Sequence, residues 1–587
     1  MNFIKRVLST VTGIFVFLFI CFAMFFVFAL VFGSSSEDVV TVKPNSVLDL
    51  RLDFPIKDYA GKTEFRQYTF LNEARKNGLF NIIDAIEYAE TDDNIKGIVM
   101  DNNFINAGIT QTKEIRDALL KFKESGKFIT AYADVYSQKD YYLSSVADTI
   151  YLNPVGLVEF KGFYSEQLYL KELQEKTGIK MEVIRYGKYK SAVEPFLSDT
   201  MSDENREQIS VFLKSIWDQV KQEVSESRHI TEADLDTIAD NLLARNATMA
   251  KNVKLIDKIV YRDEFIHELK QAIGIDNEED IQSITIEDYA EYVATKIRTN
   301  SSKNRIAVIY AQGDIVYGEG DENTVGQGTM GRTLREARED DRIKAVVLRI
   351  NSPGGDAMAS ELIWREIELT KKVKPVIVSM GDLAASGGYY IACNADKIIA
   401  EPTTITGSIG VFGMLPNGNE LASNLGVNAE QVSTNKNAVS YSFFEPLSES
   451  QHDFIREEVV NIYELFTTRV ADGRGMTQDA VKTIAEGRVW TGADAVNNGL
   501  VDALGGLDVA LERAAEAANI SDYKTIELPV FEKDLDKILR EFGLVEAKED
   551  ILKEEIGTEN YKLLQRIKSL SEKKGVQLLF PYSLEIK

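Results

Sequence analysis

The feature that most limits what this chain can fold into is an internal duplication. Residues 94–154, beginning NIKGIVMDNN, and residues 342–402, beginning RIKAVVLRIN, run in parallel at a constant offset of 248. Tyr141-Tyr142 falls on Tyr389-Tyr390, Ala147-Asp148 on Ala395-Asp396, and Pro154 on Pro402. Farther on, Thr237-Ile-Ala matches Thr483-Ile-Ala at an offset of 246, and Leu255-Ile-Asp matches Leu500-Val-Asp at 245. A unit this long, repeated once, is a duplicated domain and not a solenoid.

Within each copy the rhythm is strand, helix, strand. KGIVMD and KAVVLRI are short β-branched runs suited to strands buried on both faces. Helical stretches follow (Thr112 to Ser125; Ala357 to Lys372), then the strands KFITAYA and KPVIVSM. This order predicts an α/β fold with parallel sheet and right-handed crossovers. The expected divisions are a stub and anchor over 1–36, a first repeat over 47–300, a second over 304–520, and a helical extension over 521–587. Residues 275–303 read as the connector, and the charged run 533–574 as a surface or assembly helix.

The copies differ in chemistry. The second carries Asn351-Ser-Pro-Gly-Gly355 and Ala385-Ser386-Gly387-Gly388 where the first has Asn103-Phe-Ile-Asn-Ala107 and Ser137-Gln138-Lys139-Asp140. A serine at a strand-to-helix turn exposes its hydroxyl, and the N–H of the next residue, Gly387, can face a developing oxyanion. Gly354 or Gly355, at the end of the preceding strand, would supply a second N–H. Either glycine loop alone reads as a tight turn; the pair, in one copy only, reads as an oxyanion hole. No Gly-Lys-Ser/Thr follows these glycines, which speaks against a phosphate loop.

A serine nucleophile needs a base. The three histidines, His229, His267 and His452, sit in polar helical contexts and are too scattered for a zinc cluster. Lysine is the alternative, provided burial lowers its pKa. Lys190, in YGKYKSAVEPF, is the candidate, although by composition alone a lysine in such a loop reads as solvated surface.

The strings YKSAVEPF, SMGDLAASGGYY, RINSPGGD, GSIGVFG and GRVWTGADAVNNGLVD closely resemble the signal peptide peptidase A (protease IV) family in its long, duplicated, membrane-anchored bacterial form. The likeness runs from the N-terminal segment to about residue 520. It implies two tandem crotonase/Clp-like α/β repeats after one transmembrane helix. It also implies a Ser-Lys dyad split between them, with Ser386 as nucleophile, Lys190 as general base and Ser408 orienting the lysine. No metal or cofactor is implied. The resemblance further implies a homotetramer on the outer face of the inner membrane that degrades released, apolar signal peptides. One alternative base stays open: Lys436-Asn-Ala-Val439 falls where the first repeat has Lys190-Ser-Ala-Val193, and short relatives carry serine and lysine on one repeat at similar spacing.

Residues 7–36 lack charge, and about 20 apolar residues suffice to cross a bilayer as a helix. The expected span is 11–33. Lys5 and Arg6 before it, with Glu37 and Asp38 after it, place the N-terminus in the cytoplasm and the body on the periplasmic side. The net charge of −25 offers no basic stripe for nucleic acid. Two other readings remain at this stage: a catalytically silent membrane-anchored scaffold, and a crotonase-type acyl-CoA enzyme.

Overall fold

In the computed structural model the duplication is visible as two parallel sheets with the same strand order. The structure describes residues 12–24, 40–63, 78–102, 104–297, 302–531 and 575–579. In the first sheet Ser283–Thr285, Ser46–Leu50, Ile95–Met100, Phe128–Ala133, Thr149–Leu152 and Lys258–Ile259 lie side by side, all parallel. The second runs Lys524–Leu528, Arg305–Gln312, Ile343–Ser352, Val376–Ala385, Lys397–Ala400 and Ala503–Leu504, all parallel, with Ile405–Gly407 parallel to the end of Val376–Ala385 and Val489–Thr491 antiparallel beyond it. Central strands are apolar on both faces because helices cover both; Val346, Val347 and Leu348 are fully buried.

The repeats also share side-chain wiring. Tyr141 donates to Leu255 O at 2.9 Å, and Tyr389 to Leu500 O at 2.8 Å. Asp257, paired with Arg228, accepts from Ile150 N, while Asp502, paired with Arg474, accepts from Ile398 N. Each repeat has a 26-residue helix, Asp203–Arg228 and Glu449–Arg474, ending at the arginine of that pair.

A third sheet crosses between the repeats, in the order Thr324–Gly326, Asp314–Val316, Gly354–Asp356, Gly575–Leu579, Val411–Asn417, Lys180–Tyr186. Lys180–Tyr186 belongs to the first repeat and pairs antiparallel with Val411–Asn417 of the second, from Val411 opposite Tyr186 to Asn417 opposite Lys180. The repeats are further joined by a buried ion cluster. Arg349 Nη2 donates to Asp58 Oδ1 at 3.0 Å and Glu114 Oε1 at 2.5 Å, and Lys113 lies 3.2 Å from Glu401.

Two expectations change. Residues 283–297 do not form a linker: Ser283–Thr285 completes the first sheet, and the helix Ile286–Ile297 buries Ile286, Tyr289, Ala290 and Val293. That spacing of 3, 1 and 3 is an amphipathic helical stripe, masked in the sequence by its acidic neighbours. Beyond residue 520, Lys524–Leu528 adds an edge strand to the second sheet, whereas the charged run expected as a helix falls outside the described residues. Taken by itself, the N-terminal unit shows a helix over 12–24; the rest of the expected span, from 25, is outside the described residues. No helix among the described residues is long and apolar enough to cross a membrane.

Candidate active site

The strand Val376–Ala385 ends at Ser386, which starts the short helix Gly387–Ala392. Ser386 has φ 55° and ψ −114°, a conformation costly for any residue with a Cβ. Bonds on both sides hold it there: its N–H donates to Gly407 O at 2.8 Å and its carbonyl accepts from Tyr390 N at 2.8 Å. Such strain directs Oγ away from the helix it caps.

Lys190 reaches this hydroxyl from the other repeat. The hairpin-like pairing of Lys180–Tyr186 with Val411–Asn417 delivers the chain to Gly187, where φ is 103° and a Cβ would lie 2.5 Å from Glu486 O. Tyr189 N then donates to Glu486 O at 3.0 Å, fixing the loop on the second repeat. Lys190 Nζ ends 2.8 Å from Ser386 Oγ, 3.0 Å from Ser408 Oγ and 3.0 Å from Ser408 O. Lys190, Ser386 and Ser408 are all fully buried. Gly487 packs so closely that a Cβ there would sit 2.6 Å from Lys190 N.

Burial alone drives the Lys190 ammonium well below its ordinary pKa, with no neighbouring charge to oppose it. A neutral amine has two N–H donors and one lone pair. Ser408 O can only accept and takes one N–H; Ser408 Oγ takes the other; the lone pair is left for the Ser386 hydroxyl proton. This arrangement suits a base.

Beside Ser386, the turn Gly354-Gly355 packs on Gly387: a Cβ on Gly354 would lie 2.5 Å from Gly387 N. Gly354 N–H is engaged with Ser352 Oγ at 3.2 Å. Gly387, first in its helix, has an N–H with no acceptor within that helix. Next to this turn runs the strand Gly575–Leu579, antiparallel to both Gly354–Asp356 and Val411–Asn417, with Leu578 O against Gly354. That strand fills the gap between the two.

Lys436 lies exposed in a turn, and the lysine touching Ser386 is Lys190. In the first repeat Gln138 stands where the second has Ser386, and its amide is consumed by Lys161 N, Gly162 N and Gly162 O. Lys139 Nζ there donates to Ala107 O at 2.6 Å, filling the counterpart of the glycine turn. Sequence reading did not single out the contacts made by Gly487 and its loop; the signal was present, because that loop opens the string GRVWTGADAVNNGLVD.

The model of peptidase family S49 matches residues 121–276 and 368–521, one match in each repeat. Protease 4 of Haemophilus influenzae is 38% identical over 516 residues, covering 85% of this chain and 84% of the relative. Protease 4 of Salmonella typhi is 39% identical, covering 76% and 73%. The chloroplastic serine protease SPPA of Arabidopsis thaliana is 34% identical, covering 83% and 71%.

Proposed function

The chain belongs to peptidase family S49 and is a serine peptidase, and we propose that it works through a dyad of Ser386 and Lys190 split between the two repeats. The observation carrying this reading is the 2.8 Å contact between Nζ and Oγ, fully buried, with Ser408 O and Ser408 Oγ each 3.0 Å from the same nitrogen.

Neutral Lys190 takes the hydroxyl proton as Ser386 Oγ bonds to the peptide carbonyl carbon. The carbonyl oxygen becomes an oxyanion facing the Gly387 N–H, beside the Gly354-Gly355 turn. As the C–N bond breaks, the Lys190 ammonium returns its proton to the leaving amine. Water then gives a proton to Lys190 and adds its oxygen to the acyl ester. Collapse releases the carboxylic acid, and the proton returns to Ser386 Oγ. No step draws on a cofactor.

The substrate we assign is the apolar signal peptide left after its release. Support comes from the relatives' protease names and from the strand Gly575–Leu579, whose pairing with Gly354–Asp356 and Val411–Asn417 shows how an extended chain lies beside the Gly354-Gly355 turn. We further assign each repeat to the crotonase/Clp-like fold, the protein to a homotetramer, and residues 11–33 to a single membrane span with the body on the periplasmic side. The helix over 12–24, with Phe15, Phe17 and Phe19 exposed, and the charge asymmetry around it support the anchor.

A fluorophosphonate probe and an apolar signal-peptide substrate test the dyad together. Wild type should be labelled and should cleave; Ser386→Ala should do neither, and Lys190→Ala should retain its fold without turnover. Normal cleavage by folded Ser386→Ala or Lys190→Ala would overturn the assignment.

A further inference from the structure

Gln208 connects both halves of the candidate site without touching the reacting atoms. It lies on the helix Asp203–Arg228 of the first repeat and is 1% exposed. Its Nε2 donates to Tyr189 O and Ser191 Oγ, each at 3.0 Å, the two residues that flank Lys190. Its Oε1 accepts from Val489 N of the second repeat at 3.4 Å. Val489 is opposite Gly407 in an antiparallel pair; Gly407 O accepts from Ser386 N, and Ser408 N donates to Arg488 O. One carboxamide therefore ties the lysine loop to the strand pair that leads into Ser408 and holds the N–H of Ser386.

We propose that Gln208 is a positioning residue that fixes the reach of Lys190 Nζ and keeps water out of the loop around it. The inference rests on the dyad reading. A buried amide with donors on one side and an acceptor on the other fits only one orientation here, because Tyr189 O must receive and Val489 N must give. The charged groups on the surrounding elements are otherwise occupied. Lys188 faces Glu486 at 3.9 Å, Arg488 pairs with Glu207 at 3.1 Å, and Glu194 accepts from Ser202 N and Asn205 Nδ2. Lys190 is thus governed by exclusion of water, which Gln208 maintains. Without it the loop loosens, the ammonium is better solvated, and more of the lysine is protonated at a given pH.

The test is the pH profile of kcat/KM for Gln208→Met, Gln208→Glu and Lys190→Ala, with Val220→Ala as a control. Val220 is buried on the same helix, and its truncation lowers stability without reaching the loop. Gln208→Met should move the acid-limb midpoint upward by about 1 pH unit and lower kcat by about 10²-fold through misplacement of the amine. Gln208→Glu should move the midpoint farther, because a carboxylate also attracts the ammonium. Val220→Ala should leave the midpoint unchanged. If Gln208→Met does not fold, the Gln208→Glu midpoint decides alone. An unmoved midpoint in a folded Gln208 variant, with Lys190→Ala inactive, overturns this inference and leaves the dyad standing. An active Lys190→Ala overturns the dyad itself.

Discussion

Replacing Lys190 with methionine should make the enzyme nearly inactive and, at neutral pH, more stable. Methionine matches the length of the lysine stem and has no amine to desolvate. For Lys190 to be a base it must be neutral in the folded protein at pH 7, while in the unfolded chain it titrates near its ordinary 10.5. Holding the amine neutral below that ordinary value costs the fold about 1.4 kcal/mol for each pH unit of displacement. The substitution removes that cost but orphans the carbonyl of Ser408, at about 1–3 kcal/mol. At pH 7 the first effect should outweigh the second. The pH dependence has a fixed sign. The folded pKa is lowered, so between it and 10.5 the unfolded wild type binds one proton that the folded wild type excludes. Wild-type stability therefore rises relative to the variant by about 1.4 kcal/mol per pH unit, and the advantage of Lys190→Met should shrink steadily as pH rises toward 10.5. Urea denaturation of both proteins at pH 7, 8 and 9 measures this directly, alongside peptide turnover, expected to fall by about 10²–10⁴-fold. A stability difference that stays flat with pH would refute the neutral lysine.

Ser408→Ala removes one of the two acceptors that turn the lysine lone pair toward Ser386, leaving the carbonyl; turnover should fall about tenfold or more, with the fold retained, in the same peptide assay. Lys436→Ala alters an exposed turn and should leave kcat/KM within about twofold of wild type, since surface substitutions there disturb no buried contact; a loss of activity comparable to Lys190→Ala would transfer the base to Lys436. Arg349→Met strands Asp58 and Glu114 in the interface between repeats. Breaking a buried ion cluster should cost about 3–5 kcal/mol, seen as a lower urea midpoint. Glu114 is already pushed up to about 8, first by burial, then by Glu401 and Asp58 against the pull of Arg349. Without the guanidinium it should protonate at still higher pH, so part of the stability lost relative to wild type should return as pH falls toward 8, below which both proteins take up the proton alike.

The duplication, the parallel α/β sheets and the turn around Ser386 were legible because they are local: β-branched runs, glycine pairs and repeated strings sit within a few residues of one another. What the sequence could not reveal is environment. Lys190 looks like a surface lysine because its burial is created by the Gly487 loop and Ser408, more than 200 positions away along the chain. Only the resemblance singled it out. Gln208 was missed for a related reason, since a lone glutamine on an amphipathic helix carries no sign of the backbone atoms it will meet. The helix Ile286–Ile297 was missed because its acidic residues outweighed its apolar stripe when the segment was judged by composition.

The distance in sequence between the two partners of the dyad, 196 residues, has a temporal meaning. A ribosome delivers the half with the lysine first, and that half has Gln138 and Lys139 where a nucleophile and an oxyanion turn would stand. The serine arrives later, and meets its base only once Val411–Asn417 has aligned with Lys180–Tyr186. If the proposed dyad holds, a nascent or truncated copy lacks a working peptidase. On the proposed dyad, hydrolytic power appears only once the second repeat has been made and has docked on the first.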